Sequence, residues 1–374
     1  DSLDGGGGSD MVRQLSGFDQ VLTDTSLSGE GLDVLSSIEA AVLQGNGLGN
    51  RIDATGFNSG PVTLLGQSGN DTLLGSPADD SLDGGPGIDF LVQVADADQT
   101  LSNGTLSGLG DDLFVSLERI QLTGGAGDNR LDASGFSTGL VTLEGAAGND
   151  TLAGGLFDDV LDGGDGTDLV EQTVDADQEL TDGQLTGRGT DLLTSIESAV
   201  LTGGGSGNLL SASGFTLGPV TLKGAAGDDT LIGGPGDDLI DGGDGDDLVR
   251  QSTNADQVLT DTQVTGQGTD LLSSIERVVL TGGIGDNTLD ASAFTMGLVT
   301  LAGAAGDDSL YGSTAADSLD GGNGDDLFVA LAGDDSSSPG AGFYAMTGPS
   351  LAGPLRRLLT LLAMANRPTW FPAN

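Results

Sequence analysis

Residues 224–250 read "GAAGDDTLIGGPGDDLIDGGDGDDLVR". The stretch divides into three nonapeptides, "GAAGDDTLI", "GGPGDDLID" and "GGDGDDLVR". Each opens on glycine, carries aspartate at its sixth position and has an aliphatic residue at its eighth. Carboxylates set this close repel one another. Glycine, in turn, is the residue that loses most freedom when its conformation is fixed. A chain keeps both together only where something offsets the repulsion and where the backbone needs angles that a side chain forbids. Matching triplets run over 66–92, 145–171 and 303–329. In all twelve nonapeptides position 6 is aspartate and position 8 is Leu, Val, Ile or Phe. A solvated low-complexity loop has no reason to hold position 8 apolar. Each nonapeptide therefore reads as a glycine-permitted turn followed by a short strand that points position 8 into a narrow core.

The triplets sit in a longer repeat. "DSLDGG" occurs at 1–6, 80–85 and 317–322, with "DVLDGG" at 159–164 and "DLIDGG" at 238–243, so the five starts are evenly spaced. Phe57, Phe136, Phe215 and Phe294 keep the same register, as do Glu39, Glu118, Glu197 and Glu276. The organisation expected is repeats at 1–79, 80–158, 159–237 and 238–316, a partial repeat at 317–335, and a tail at 336–374. Units of this kind bury an apolar face only by stacking on their neighbours. The phenylalanines read as core stackers and the glutamates as solvent-facing residues on a half-buried strand. The chain begins inside a repeat and so reads as a segment of something longer.

The nonapeptides resemble the glycine-rich G-G-x-G-x-D-x-U-x repeat of RTX (hemolysin-type) calcium-binding proteins. Counting residues 5–13, thirteen copies cover about a third of the chain. The resemblance implies an all-β, right-handed parallel β-roll or β-solenoid that takes up several Ca2+ ions. Three copies depart from it, "GSPADDSLD" (75–83), "GGLFDDVLD" (154–162) and "GSTAADSLD" (312–320), each lacking the glycine at position 4.

With nine residues as half a coil, turns eighteen apart stack on one edge and turns nine apart lie on opposite edges. Turns beginning at Gly124, Gly145, Gly163, near Gly183 and at Gly203 then advance by 21, 18, 20 and 20 along the chain, about four coils per repeat. Asp71 stacks on Asp89, Asp150 on Asp168, Asp229 on Asp247, and Asp308 on Asp326. Calcium takes 6–8 oxygens from carboxylates and carbonyls alike. These eight aspartates, with the turn glycines Gly66, Gly84, Gly145, Gly163, Gly224, Gly242, Gly303 and Gly321, are the expected metal residues. Weaker sites are expected at Asn50, Asn129, Asn208 and Asn287, where the side-chain oxygen is neutral. The same holds for Asp80, Asp159, Asp238 and Asp317, which stand in single turns on the opposite edge, and for Asp10, whose partner would precede residue 1.

Composition agrees. The chain carries 57 acidic and 11 basic residues, a formal charge of −46, which favours cations and disfavours nucleic acid or anionic lipid as partners. It has no cysteine and no histidine. That removes disulfides, thiolate ligands, the commonest zinc ligand and the commonest general base, leaving the oxygen ligands that suit hard cations. No stretch approaches the ~20 apolar residues of a membrane span.

These readings point to a secreted calcium-binding solenoid at the bacterial surface or outside the cell. It would serve as a structural or adhesive stalk of a larger protein, exported by type I secretion machinery and folding on calcium outside the cell. Surface polysaccharide or other surface proteins are its expected partners. The alternative is an accessory module of a secreted enzyme (protease, lipase, or polysaccharide epimerase or lyase) whose catalytic domain lies elsewhere. Catalysis by the solenoid itself is disfavoured, because every carboxylate cluster recurs in each repeat whereas an active site is singular. The tail changes character: residues 336–374 hold no acid and three arginines, and "PLRRLLTLLAMAN" (354–366) fits a short amphipathic helix. A terminal cap, a secretion signal and an unrelated or mis-framed sequence all fit this tail.

Overall fold

The computed structural model describes residues 1–329, 331, 336–338 and 344–347. The described residues form strands and turns, with no helix among them. They fall into two units: Asp1–Thr202 with Gly214–Pro219, and Gly203–Ser213 with Val220–Asn374.

In the first unit successive strands alternate between two parallel sheets. One sheet pairs Val62–Leu65, Ser81–Asp83 and Gly110–Val115, then Arg130–Gly135, Thr151–Ala153, Leu169–Thr173 and Ser198–Thr202. The other pairs Arg51–Gly56, Thr72–Leu74, Phe90–Val94, Arg119–Thr123, Leu140–Ala147 and Val160–Asp165. The second unit repeats the scheme with Val220–Ala226, Leu239–Asp244 and Thr269–Ser273 in one sheet, and Thr230–Ile232, Leu248–Ser252, Arg277–Thr281 and Leu298–Ala302 in the other. The chain is a β-roll solenoid.

The eighth residue of each nonapeptide faces the space between the sheets. Leu73, Leu82, Leu91, Leu152, Leu161 and Val170 in the first unit, and Leu231, Ile240, Val249, Leu310, Leu319 and Phe328 in the second, are at most 1% exposed. Phe57, Phe136, Phe215 and Phe294 are fully buried, as expected of core stackers. Strand alternation puts the residues between them outside.

Strand spacing follows the expected steps of 21 and 18 for part of each repeat: Arg130 pairs Thr151, and Thr151 pairs Leu169. The next step differs. Leu169 pairs Ser198, a jump of 29, because the chain first folds into an antiparallel excursion on the opposite sheet. There Gln178–Thr181, Gln184–Thr186 and Thr190–Thr194 form a three-stranded meander. Its tight turn is Asp182-Gly183, and in the preceding repeat Asn103-Gly104, where Ser102 pairs Thr105. Both are two-residue hairpin sequences. Buried glutamines hold its base: Gln172 Nε2 donates to Gln178 Oε1 (3.0 Å), and Gln178 Nε2 to the Thr202 carbonyl (2.8 Å).

Counting the meander once, the strands from Ser81–Asp83 to Thr151–Ala153 make seven half-coils, so a repeat turns three and a half times rather than four. The half turn has a consequence. Ser81–Asp83 lies in one sheet of the first unit, while its equivalent one repeat on, Val160–Asp165, lies in the other. Equivalent turns of these two repeats therefore occupy opposite edges of the first unit.

The stack continues past the last nonapeptide. Ser336–Ser338 pairs with Ser318–Asp320, and Tyr344–Thr347 with Asp326–Val329, so strands enter the segment expected to be a non-repeat tail. The helix expected over 354–366 lies outside the described residues.

Candidate metal centre

On one edge of the first unit four side chains stack in a column, each after the first accepting a hydrogen bond from the backbone of the one before. The Asn129 amide donates to Asp150 Oδ1 (2.7 Å), the Asp150 amide to Asp168 Oδ1 (2.7 Å), and the Asp168 amide to Glu197 Oε2 (2.9 Å). The same ladder runs Asn50–Asp71–Asp89–Glu118, with distances of 2.7, 2.7 and 3.0 Å. In the second unit it runs Asn208–Asp229–Asp247–Glu276, at 2.7, 2.8 and 3.0 Å, and Asn287–Asp308–Asp326, at 2.7 and 2.9 Å. The aspartate pairs are thus stacked as the eighteen-residue spacing implies. Asp10 is not alone either: its amide donates to Glu39 Oε2 (2.9 Å), so its neighbour follows it.

The glutamates differ from expectation. Glu39, Glu118, Glu197 and Glu276 lie in turns rather than on strands, half-buried, with the carboxylate folded back as the last rung. Their spacing hid this: 29 residues separate Asp168 from Glu197 because the meander intervenes.

Only one oxygen of each ladder aspartate takes part in the ladder. The other, Oδ2, is buried with no hydrogen-bond partner in Asp10, Asp71, Asp89, Asp150, Asp168, Asp247, Asp308 and Asp326. A buried carboxylate oxygen left unpaired is costly. These oxygens face the Cα of the first turn glycine together with a carbonyl of the next turn. A Cβ added at Gly145 would fall onto both Asp150 Oδ2 and the Gly163 carbonyl oxygen; one at Gly66 would lie 2.5 Å from Asp71 Oδ2 and 2.6 Å from the Gly84 carbonyl oxygen. Glycine here leaves an oxygen-walled space. Among the described residues no three carboxylates converge on one point, so carbonyls must supply much of any ligand set. Burial pushes Asp71, Asp89, Asp150, Asp168 and Asp308 above the ordinary carboxylate range, and Asp71 and Glu118 add like-charge repulsion at Asp89. The donor set fits a hard divalent cation such as calcium and does not fit a metal that needs sulfur or imidazole.

The remaining turns are built differently. In them the position-2 amide donates to the position-6 side chain of the same turn: Asn46 to Asn50 Oδ1 (2.9 Å), Gly125 to Asn129 (2.8 Å), Gly204 to Asn208 (2.9 Å) and Gly283 to Asn287 (2.7 Å). In the aspartate turns outside the ladders Gly155 donates to Asp159 Oδ2 (2.6 Å), Gly234 to Asp238 (2.7 Å) and Ser313 to Asp317 (2.6 Å), with Ser76 doing the same to Asp80. The second oxygen is also taken. The Val141 amide donates to Asp159 Oδ1 (2.8 Å), and Val62, Val220 and Val299 do likewise to Asp80, Asp238 and Asp317. Nor do these aspartates stand singly, as the sequence implied. The Asp159 amide donates to Asp191 Oδ1 (3.0 Å), Asp80 to Asp112 (2.9 Å) and Asp238 to Asp270 (3.1 Å). Burial, above all, lifts Asp112, Asp191 and Asp270 to about 7 and Asp159 to about 6.

One backbone angle separates the two kinds of turn. Position 2 has positive φ in every open turn: Gly6 (84°), Gln67 (78°), Gly85 (89°), Ala146 (80°), Gly164 (96°), Ala225 (78°), Gly243 (96°), Ala304 (76°) and Gly322 (86°). It is not positive in any closed turn. The left-handed residue directs its amide away from the carboxylate, and Oδ2 loses its internal donor.

The two-sheet roll with rows of inward carboxylate oxygens at glycine turns defines a calcium-binding type of solenoid. The model of the RTX calcium-binding nonapeptide repeat matches the chain in four copies, at 63–91, 144–171, 221–249 and 302–336, together about a third of its length. The chain carries RTX repeats, and Ca2+ is the ion these repeats bind. No curated protein is significantly similar to it.

Proposed function

We propose that the chain is a calcium-dependent β-roll serving as a structural or adhesive segment of a larger bacterial protein, exported or displayed at the surface. It would fold when it meets calcium outside the cell. The observation that carries this is the row of buried Oδ2 atoms without partners, in aspartates whose charge burial opposes. At −46, and with a core only one side chain deep between two sheets, the metal-free chain has strong self-repulsion and little to set against it. Cation binding to a site absent from the unfolded chain is folding free energy. Extracellular modules often bind calcium at ~10⁻⁴–10⁻³ M, so a calcium-poor cytosol would leave the chain extended for export, as a type I exporter requires. Uninterrupted stacking within each unit, with no non-repeat body among the described residues, supports a stalk or spacer that sets surface polysaccharide or protein partners at a distance. In this reading the ions sit in the open turns, with the aspartates and glycines expected from sequence. The closed turns at Asn50, Asn129, Asn208, Asn287, Asp80, Asp159, Asp238 and Asp317 are structural.

Circular dichroism and small-angle scattering in excess chelator and in millimolar calcium test this. The expected result is an expanded chain that gains β-structure and compacts on calcium addition. Equal β-structure and size in both conditions overturns it. Turnover of alginate, pectin or peptide that one substitution abolishes would overturn the non-catalytic part.

A further inference from the structure

We propose that the turns Ser37–Glu39, Ser116–Glu118, Ser195–Glu197 and Ser274–Glu276, which lie outside the nonapeptides, each complete an additional hard-cation site against the third nonapeptide turn above them. This rests on the calcium reading and extends it to residues outside the repeat motif.

Asp168 is fully buried. Its Oδ1 accepts the Asp150 amide, its own amide is held by Glu197, and its Oδ2 has no partner. Asp150 Oδ2 and the Gly163 carbonyl wall the space beside Gly145, whereas the free oxygen of Asp168 lies beside Gly163. A Cβ added at Gly163 would lie 2.5 Å from Asp168 Oδ2 and would fall onto the Ser195 carbonyl oxygen. Ser195 therefore stands where a turn glycine would stand. Ser37, Ser116, Ser195 and Ser274 all have φ of 51–53°, a left-handed angle that is costly for a residue bearing a side chain and that in the nonapeptide turns falls on position 2 rather than on the first glycine. The same space recurs at Gly84, between Asp89 Oδ2 (2.7 Å) and Ser116 O, and at Gly242, between Asp247 Oδ2 (2.5 Å) and Ser274 O.

Asp10 repeats the arrangement: the turn stacked on it is Ser37–Glu39, and its Oδ2 is likewise buried and partnerless. The identity of the last rung agrees. Accepting an amide needs only a neutral oxygen, which glutamine supplies as well, yet all four positions carry glutamate in a column where like charges already repel. A carboxylate in that place is balanced by a cation.

Calorimetric titration of the full chain with calcium, with circular dichroism on the same samples, tests this. In the variant Glu39→Gln, Glu118→Gln, Glu197→Gln and Glu276→Gln the amide acceptor is kept and the charge removed. The expected result is a folded chain at saturating calcium that binds four fewer ions than wild type. Should that variant fail to fold, Glu197→Gln alone is expected to lose one ion. Unchanged stoichiometry in a folded variant overturns the inference and leaves the nonapeptide sites standing. A wild-type chain that binds no calcium overturns the calcium reading itself, and this inference with it.

Discussion

The turn "GGLFDD" (154–159) and the turn "GGDGTD" (163–168) follow one another in the same unit, both opening on two glycines and both ending on a buried aspartate. In the first, both carboxylate oxygens accept backbone amides. In the second, one oxygen accepts an amide and the other is left bare. The difference traces to position 2: Gly155 turns its amide inward, and Gly164, at φ of 96°, turns it away. The same six-residue pattern thus gives a sealed corner, with both carboxylate oxygens met, or an open one, with one oxygen bare.

The sharpest way to break this comparison is to remove the sealed carboxylate. Asp159→Ala strands the buried Val141 and Gly155 amides, and two unmet donors cost about 3 kcal/mol. Denaturant unfolding at saturating calcium is expected to show that loss, while the number of ions bound stays at the wild-type value. A drop in stoichiometry would make Asp159 a ligand and erase the distinction.

Next in size is a pH effect at the sealed aspartate turn. Asp191 is lifted to about 7, chiefly by burial and then by the charges of Asp159 and Asp158. A carboxyl whose folded pKa exceeds its unfolded value holds its proton more tightly when folded. Stability is then highest below the ordinary value near 4 and falls as pH rises toward 7. Asp191→Asn keeps an oxygen for the Asp159 amide and removes the charge. The variant is expected to be more stable than wild type at pH 8, by on the order of 2 kcal/mol, and to converge with it toward pH 4. A constant difference across that range would show that Asp191 is not the titrating group.

Asp150→Asn sharpens the comparison from the open side. Asparagine preserves the acceptor for the Asn129 amide and removes the charge from an oxygen that faces the Gly163 carbonyl. Residual β-structure in chelator should not fall, because burial opposes that charge. The calcium midpoint for folding is expected to rise about tenfold, equivalent to about 1.4 kcal/mol. Calorimetry should find one ion fewer, in contrast to Asp159→Ala. Retention of every ion by this variant would mean that the bare oxygen is not a ligand.

Much of this was legible in the sequence. Position 8 of the nonapeptide announced the core, and eighteen-residue spacing announced the stacked aspartates, because both follow from local strand geometry. What stayed hidden depends on neighbours that are remote in sequence. "GGPGDD" (233–238) has every glycine of the motif, yet it is closed, because its stacking neighbours are the Val220 amide and Asp270 rather than another nonapeptide turn. The meander carried a signal in Asn103-Gly104 and Asp182-Gly183, the two-residue hairpin sequences flanked by alternating apolar residues. Reading it would have replaced the even twenty-residue steps by a 29-residue jump and brought Glu197 under Asp168.

The smallest expected effect probes the angle itself. In the third nonapeptide of each repeat position 2 is glycine, but in the first it is Gln67, Ala146, Ala225 or Ala304, all held at φ of 76–80°. In a strand or an ordinary turn Ala→Gly destabilises by roughly 0.5–1 kcal/mol, because glycine gives the unfolded chain more freedom. At left-handed φ the Cβ of alanine adds a penalty of about 1–2 kcal/mol that glycine does not carry. The second effect exceeds the first, so the sign reverses. Ala146→Gly is expected to stabilise the calcium-loaded chain by about 0.5 kcal/mol, the difference between these two opposing effects. Ion number should stay unchanged and the calcium midpoint should fall slightly. Thermal unfolding at fixed calcium reads the sign directly. A loss of the ordinary Ala→Gly size would mean that position 2 is not left-handed in the folded chain. The amide would then be free to seal Asp150 as Gly155 seals Asp159, and the two kinds of turn would be one.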